Sequence, residues 1–248
     1  MKYLIVLLVL FLPKWGNSQH LFLIEDEVMD DDTKVNALII RSTDDFDEVM
    51  DNFKDFVKDK HDLKVKKENN NTYMIEAVNL PQLSIKRGDM KIYLIQTDSA
   101  KILAFSFRLG YDISINSEEY PEEMTEFKKL VLDYMEYNYH EHYMAKIDEK
   151  SKLLDKSVKE LRQNEDKIGS LQKKVGSLDK KYQKETDESK KSNIASDKNS
   201  LENEIETLTN QLPELRESVS EQEEVISGLK EEMNNYHQEI MTLQSSVK

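Results

Sequence analysis

Leu201-Glu-Asn-Glu-Ile205-Glu-Thr-Leu208-Thr-Asn-Gln-Leu212-Pro-Glu-Leu215-Arg-Glu-Ser-Val219 carries an apolar residue at every third or fourth place. That alternation of three and four is the signature of a helix whose seam faces another helix. Read onward, Ile205, Leu212, Val219, Ile226, Met233, Ile240 and Val247 form one seven-residue series. Leu201, Leu208, Leu215, Leu229, Tyr236 and Leu243 form the second, interrupted by Gln222. Pro213 falls off the seam. It removes one helical hydrogen bond, and the unbroken heptad phase around it predicts a kink rather than a stop.

An earlier segment repeats the pattern. Ile147, Leu154, Leu161, Ile168, Val175 and Tyr182 are spaced by seven, and Leu171 and Leu178 fill the second seam place of the last heptads. Gly169 and Gly176 lie on the outer face, where they weaken the helix without touching the seam. Residues 183–193 hold no apolar side chain, and Tyr182 and Ile194, twelve apart, are out of phase with both series. A turn is therefore expected near 190–193. Residues 146–191 hold 14 basic and 10 acidic side chains, whereas 192–248 hold 4 basic and 12 acidic. Opposite net charge favours pairing of the two segments with each other over self-pairing. The expectation is an antiparallel helical hairpin spanning 121–248, with Ile240 facing Tyr143 and Val247 approaching Glu136. A domain-swapped dimer using the same heptads stays open.

Upstream, residues 34–120 read as a small α/β domain. Val35-Asn-Ala-Leu-Ile-Ile40 is a strand, and Ser42-Thr-Asp-Asp45 starts a helix with capping side chains and early acids. Phe46, Val49, Met50, Phe53, Phe56 and Val57 give that helix one apolar face. Leu63-Lys-Val-Lys66 and Thr72-Tyr-Met-Ile-Glu-Ala-Val78 flank an Asn-rich turn as a hairpin. Lys91-Ile-Tyr-Leu-Ile-Gln96 and Lys101-Ile-Leu-Ala-Phe-Ser-Phe107 form a second hairpin, and residues 111–115 extend the sheet. Pro121 opens the next helix, whose Met124, Phe127, Val131, Tyr134 and Met135 can close the open face of the sheet. The expected fold is α+β: an antiparallel sheet packed by helices, then the hairpin.

Residues 1–18 read as a leader. Lys2 precedes nine apolar residues, Leu4 to Leu12, too few to span a bilayer, and Gly16-Asn17-Ser18 offers small residues for cleavage after Ser18. The mature chain is expected outside the cytoplasm, in the periplasm or beyond, with no stable membrane insertion. The chain has no cysteine, so disulfides do not staple it. Its net charge of −14 opposes nucleic-acid binding. Residues 19–33, rich in Asp and Glu, read as a flexible acidic lead, with residues 21–24 as a candidate edge strand.

Chemistry is sparse. The sequence has no H-E-x-x-H, no G-x-S-x-G and no phosphate-cradling glycine loop. No catalytic residue and no cofactor is assigned. Glu136 and His140, one helical turn apart, are the nearest approach to a metal pair, without an evident third ligand. The alternative reading of the segment around them is an aromatic collar at the base of the hairpin. Asp44-Asp45 and Glu118-Glu119 fit helix starts better than paired catalytic carboxylates.

Asp98-Ser99, Leu109-Gly-Tyr-Asp112 and Asn116-Ser-Glu-Glu-Tyr-Pro121, set in a leader, sheet and coiled-coil order, resemble exported proteins of Bacteroidota-type bacteria of uncharacterised role. The resemblance implies exported location and this architecture, and no activity. The element order also resembles ferredoxin-type α/β sandwiches, which implies no function. The functional expectation is a non-enzymatic exported scaffold or adaptor, its α/β domain recognising a protein partner and its rod setting distance or assembly. A periplasmic holdase is the alternative, against which the wholly polar 183–193 counts, and an enzyme is the third.

Overall fold

The computed structural model describes residues 23–42, 45–78, 80, 83, 87–97, 100–110 and 113–247. The expected leader and its cleavage point lie outside the described residues. The elements run β1 (Leu23–Asp30), β2 (Thr33–Ser42), α1 (Phe46–His61), β3 (Lys66–Lys67), β4 (Thr72–Val78), β5 (Gly88–Gln96), β6 (Lys101–Leu109), β7 (Ile113–Ser114), α2 (Pro121–Lys184) and α3 (Glu188–Ser246). The fold is α+β: a seven-stranded antiparallel sheet, a short helix, and a long helical hairpin. Two compact units divide it, one holding residues 1–138 with 236–248 and the other 139–235.

The sheet order is β1-β2-β6-β5-β4-β3, with β7 beside β6. Each neighbouring pair is antiparallel, so β2 and β3 run the same way and α1 is the crossover between them. Four strand gaps separate β2 from β3, about 19 Å at the usual strand spacing. The 16 residues of α1 span about 24 Å, enough to cross that face. Its predicted stripe is the buried one from Val49 on: Val49, Met50, Phe53, Phe56 and Val57 are buried, and Phe46 in the first turn is half-buried. Asp62, in the left-handed region at φ 54°, closes the helix with its N–H on Lys58 O.

The core lies between this helix, the start of α2 and the sheet. Phe105 of β6 meets Phe53 of α1 at 5.6 Å and Tyr134 of α2 at 5.7 Å between ring centroids. Phe107, two residues on and therefore on the same face, meets Phe127 of α2 at 6.0 Å. Tyr134 keeps its hydroxyl satisfied in this apolar setting by donating to Val49 O at 2.9 Å. Met124, Phe127, Val131, Tyr134 and Met135 are all buried, as their spacing predicted. The opposite face carries a second small cluster of Val28, Val35, Ala37, Tyr93 and Ala104.

Three expectations are corrected. Residues 19–33 are not a flexible lead throughout, because 23–30 form β1 in full register with β2. Its carboxylates are held by groups far along the chain. Glu25 accepts from Asn36 Nδ2 at 3.0 Å and Ser117 N at 2.8 Å, and Lys128 lies 3.3 Å away. Burial raises the Glu25 carboxyl, but these donors outweigh it and hold the group below its ordinary value. The strand expected at 63–66 shrinks to Lys66–Lys67. The helical turn lies at 185–187 rather than 190–193, and Pro213 sits inside α3.

Candidate functional site

The longest organised surface is the paired stretch of α2 and α3. Within the unit of residues 139–235 the helices run antiparallel, as Asp179 with Lys198 at 2.7 Å, Lys167 with Glu204 at 2.7 Å and Glu165 with Arg216 at 2.9 Å establish. Each of these bridges joins an acid on one helix to a base on the other. The turn is built by local carboxylates. Glu185 Oε1 accepts from the N–H groups of Thr186 and Asp187, at 2.9 and 3.0 Å. Asp187 Oδ1 then caps α3 by accepting from Ser189 N at 2.9 Å and Lys190 N at 3.2 Å.

This earlier turn shifts the register. Tyr143 donates to Glu232 Oε2 at 3.2 Å, where Ile240 was expected, a difference of eight residues or roughly 12 Å along the helix. Of the seam residues, Ile147, Ile168, Leu171, Ile226 and Ile240 are buried. Leu154, Leu161, Val175, Leu201, Ile205, Leu208, Leu212, Leu215, Val219, Leu229 and Met233 are half-buried, as a two-helix seam open on both flanks allows. Tyr182 is exposed, with Lys191 Nζ 6.0 Å from its ring centre.

The middle of the seam is polar. Stepping back by sevens from Leu178 and Leu171 reaches Asn164, Ser157 and Lys150. Asn164 Nδ2 donates to Gln211 Oε1 at 3.4 Å, and the hydroxyls of Ser157 and Ser218 lie 3.3 Å apart. Gln222 Oε1 is buried without a hydrogen-bond partner among the described residues. A cleft of about 420 Å³ runs beside it, lined by Leu153, Ser157, Gln211, Leu215, Ser218 and others. These polar layers keep the heptad spacing, but a count of apolar residues does not mark them.

On the sheet, away from the helices, Asp30 sits between Lys91, at 3.2 Å, and Arg108. Lys91 also reaches Glu68 at 3.0 Å. The Asp30 and Lys91 side chains are each 12% exposed, so charges that Coulomb attraction barely couples in water are strongly coupled here. Beside them a cleft of about 280 Å³ is floored by Gly88 and edged by Ala77, Arg87 and Asp89. A Cβ on Gly88 would stand 2.4 Å from Arg108 O and 2.6 Å from the Phe107 ring, so the strands close only over glycine. Ala77 occupies the left-handed region at φ 52° in a bulge of β4, its N–H held by Asp89 Oδ1 at 2.8 Å. Sequence alone missed this group, since its members are scattered over 30–108.

Glu136 and His140 each meet a different neighbour. Glu136 faces His237 of α3, 3.0 Å away, and His140 lies 3.3 Å from Glu141. Among the described residues no cluster of three or more His, Cys, Asp or Glu side chains is placed to hold a metal ion. Among the same residues no helix is long and apolar enough to cross a membrane. Compared with known proteins, the chain matches no family model, no curated protein and no solved structure.

Proposed function

We propose that the chain is an exported, non-enzymatic scaffold or adaptor, in which the α/β unit recognises a protein partner and the paired helices set spacing or assembly. One observation carries this reading: in residues 139–235, two long helices are zipped by cross-helix charge pairs and by polar seam contacts that fix a single register. About 45 residues of each helix give that unit a length of roughly 70 Å, which suits reach better than catalysis. The location outside the cytoplasm rests on the leader-like start of the sequence. The partner-facing role of the sheet rests on its cleft and the ion network beside it.

Cross-linking in intact cells of the source organism, followed by mass spectrometry, tests the proposal. Repeated links from Lys64 or Lys66 to one other protein are expected. Links confined to this chain, such as Lys174 to Lys198, would overturn the adaptor reading.

A further inference from the structure

One flank of the paired helices combines open clefts with sorted charge. On α2 the residues one place before the seam series are Lys146, Leu153, Glu160, Lys167, Lys174 and Lys181. On α3 the matching row is Asp197, Glu204, Gln211, Ser218, Val225 and Glu232. The two rows share a flank, because one cleft of about 420 Å³ brings Leu153 and Glu160 together with Gln211 and Ser218. A second cleft of about 420 Å³ brings Lys174 and Lys181 together with Asp197. Between the two clefts Lys167 Nζ bridges Glu204 at 2.7 Å. All of these residues belong to the unit of residues 139–235. Leu153 and Val225 stand 41% and 44% exposed on it.

We propose that a second copy of the chain packs on this flank, the two hairpins lying side by side and pointing the same way as a four-helix bundle. Charge selects both the occupant and the symmetry. A twofold axis along the rod keeps every residue at its own height and sets α2 of each copy against α3 of the other. Lys167 and Lys174 then meet Glu204 and Asp197 of the second copy at the heights where they already meet their own. Leu153 of one copy falls within about one helical turn of Val225 of the other, so each is covered. A twofold across the rod would instead set α2 against α2 and bring the lysine rows together. The opposite flank holds the exposed Met144, but pairing there would set Asp179 beside Glu202. A strip about 70 Å long and about 10 Å wide on each copy buries about 1,400 Å² in all, within the range of specific interfaces. Its apolar side chains are few, so the dimer dissociates readily and is sensitive to salt. This assembly does not rest on the adaptor proposal: contact with another protein decides that one, and self-association decides this one.

Sedimentation velocity of the full chain over about 1 to 200 μM tests it. A monomer–dimer equilibrium is expected, weaker at 1 M salt than at about 0.1 M. Leu153→Glu and Val225→Glu should each weaken the dimer about tenfold or more. Circular dichroism should show unchanged helix content in both, since neither side chain is buried in the single hairpin. Lys174→Glu, at an exposed place, should weaken the dimer about threefold, and it decides the matter if either glutamate variant loses helix. Met144→Glu should leave the dimer intact. A monomer at every concentration would overturn the proposal. So would a dimer that survives Leu153→Glu and Val225→Glu, as a domain-swapped pair would, or one that Met144→Glu weakens equally.

Discussion

Phe105 in β6 is 1% exposed, while Leu161 in α2 is only half-buried, although both are apolar residues at places their periodicity marked as interior. The difference is one of layers. Phe105 sits on a strand with neighbours on both sides and two helices above it, so it has contacts in every direction. Leu161 has one facing helix and solvent on both flanks. The same contrast holds for polar groups. The sheet buries a compact carboxylate–lysine–arginine group, whereas the paired helices place serine, asparagine and glutamine in the seam itself. The sheet thus resists change through density, and the helix pair holds its register through a few polar contacts.

The largest effect should come from the dense region. Phe105→Ala should cost about 3–5 kcal/mol of the stability of the α/β unit, and Leu161→Ala about 1–2 kcal/mol in the paired helices. Hydrogen exchange resolved by region measures both, and equal losses would erase the distinction between them. Asp30→Asn should cost about 2–4 kcal/mol by leaving Lys91 and Arg108 short of a counter-charge. Urea denaturation with a sheet-specific readout checks this, and a neutral result would show that Glu68 suffices. Gln222→Leu should act in the opposite direction. It completes the interrupted seam series and removes a buried acceptor without a partner, raising helix-pair stability by about 1–2 kcal/mol. A lowered thermal midpoint would instead make Gln222 a register determinant. The smallest change is expected for Arg216→Gln, about 0.2–1 kcal/mol, because its bridge to Glu165 is largely exposed. Its loss should vanish in 1 M salt, where such pairs are screened.

Much of the fold is legible from local pattern. The stripe of α1, the hairpin of β5 and β6, the start of α2 at Pro121 and both heptad series follow from spacing that each element carries within itself. The errors fall where a remote partner decides. The acidic run at 23–30 reads as solvated until Lys91, Arg108, Ser117 and Lys128 are brought beside it. The stretch without apolar residues points to a turn at its end, whereas a capping aspartate, worth only about 1 kcal/mol, marks its true position. An error of a few residues in the turn doubles in the register, because both arms shift against each other. Hence Tyr143 faces Glu232.

The sequence by itself determined the class of most elements and the pairing of two oppositely charged helices, because hydrophobic period and charge are properties of contiguous residues. The tertiary structure alone decided the register of that pair, the partner of Glu136 and the carboxylates that end up buried. Those depend on distances between residues up to about a hundred positions apart, and a one-dimensional pattern holds no measure of such distances.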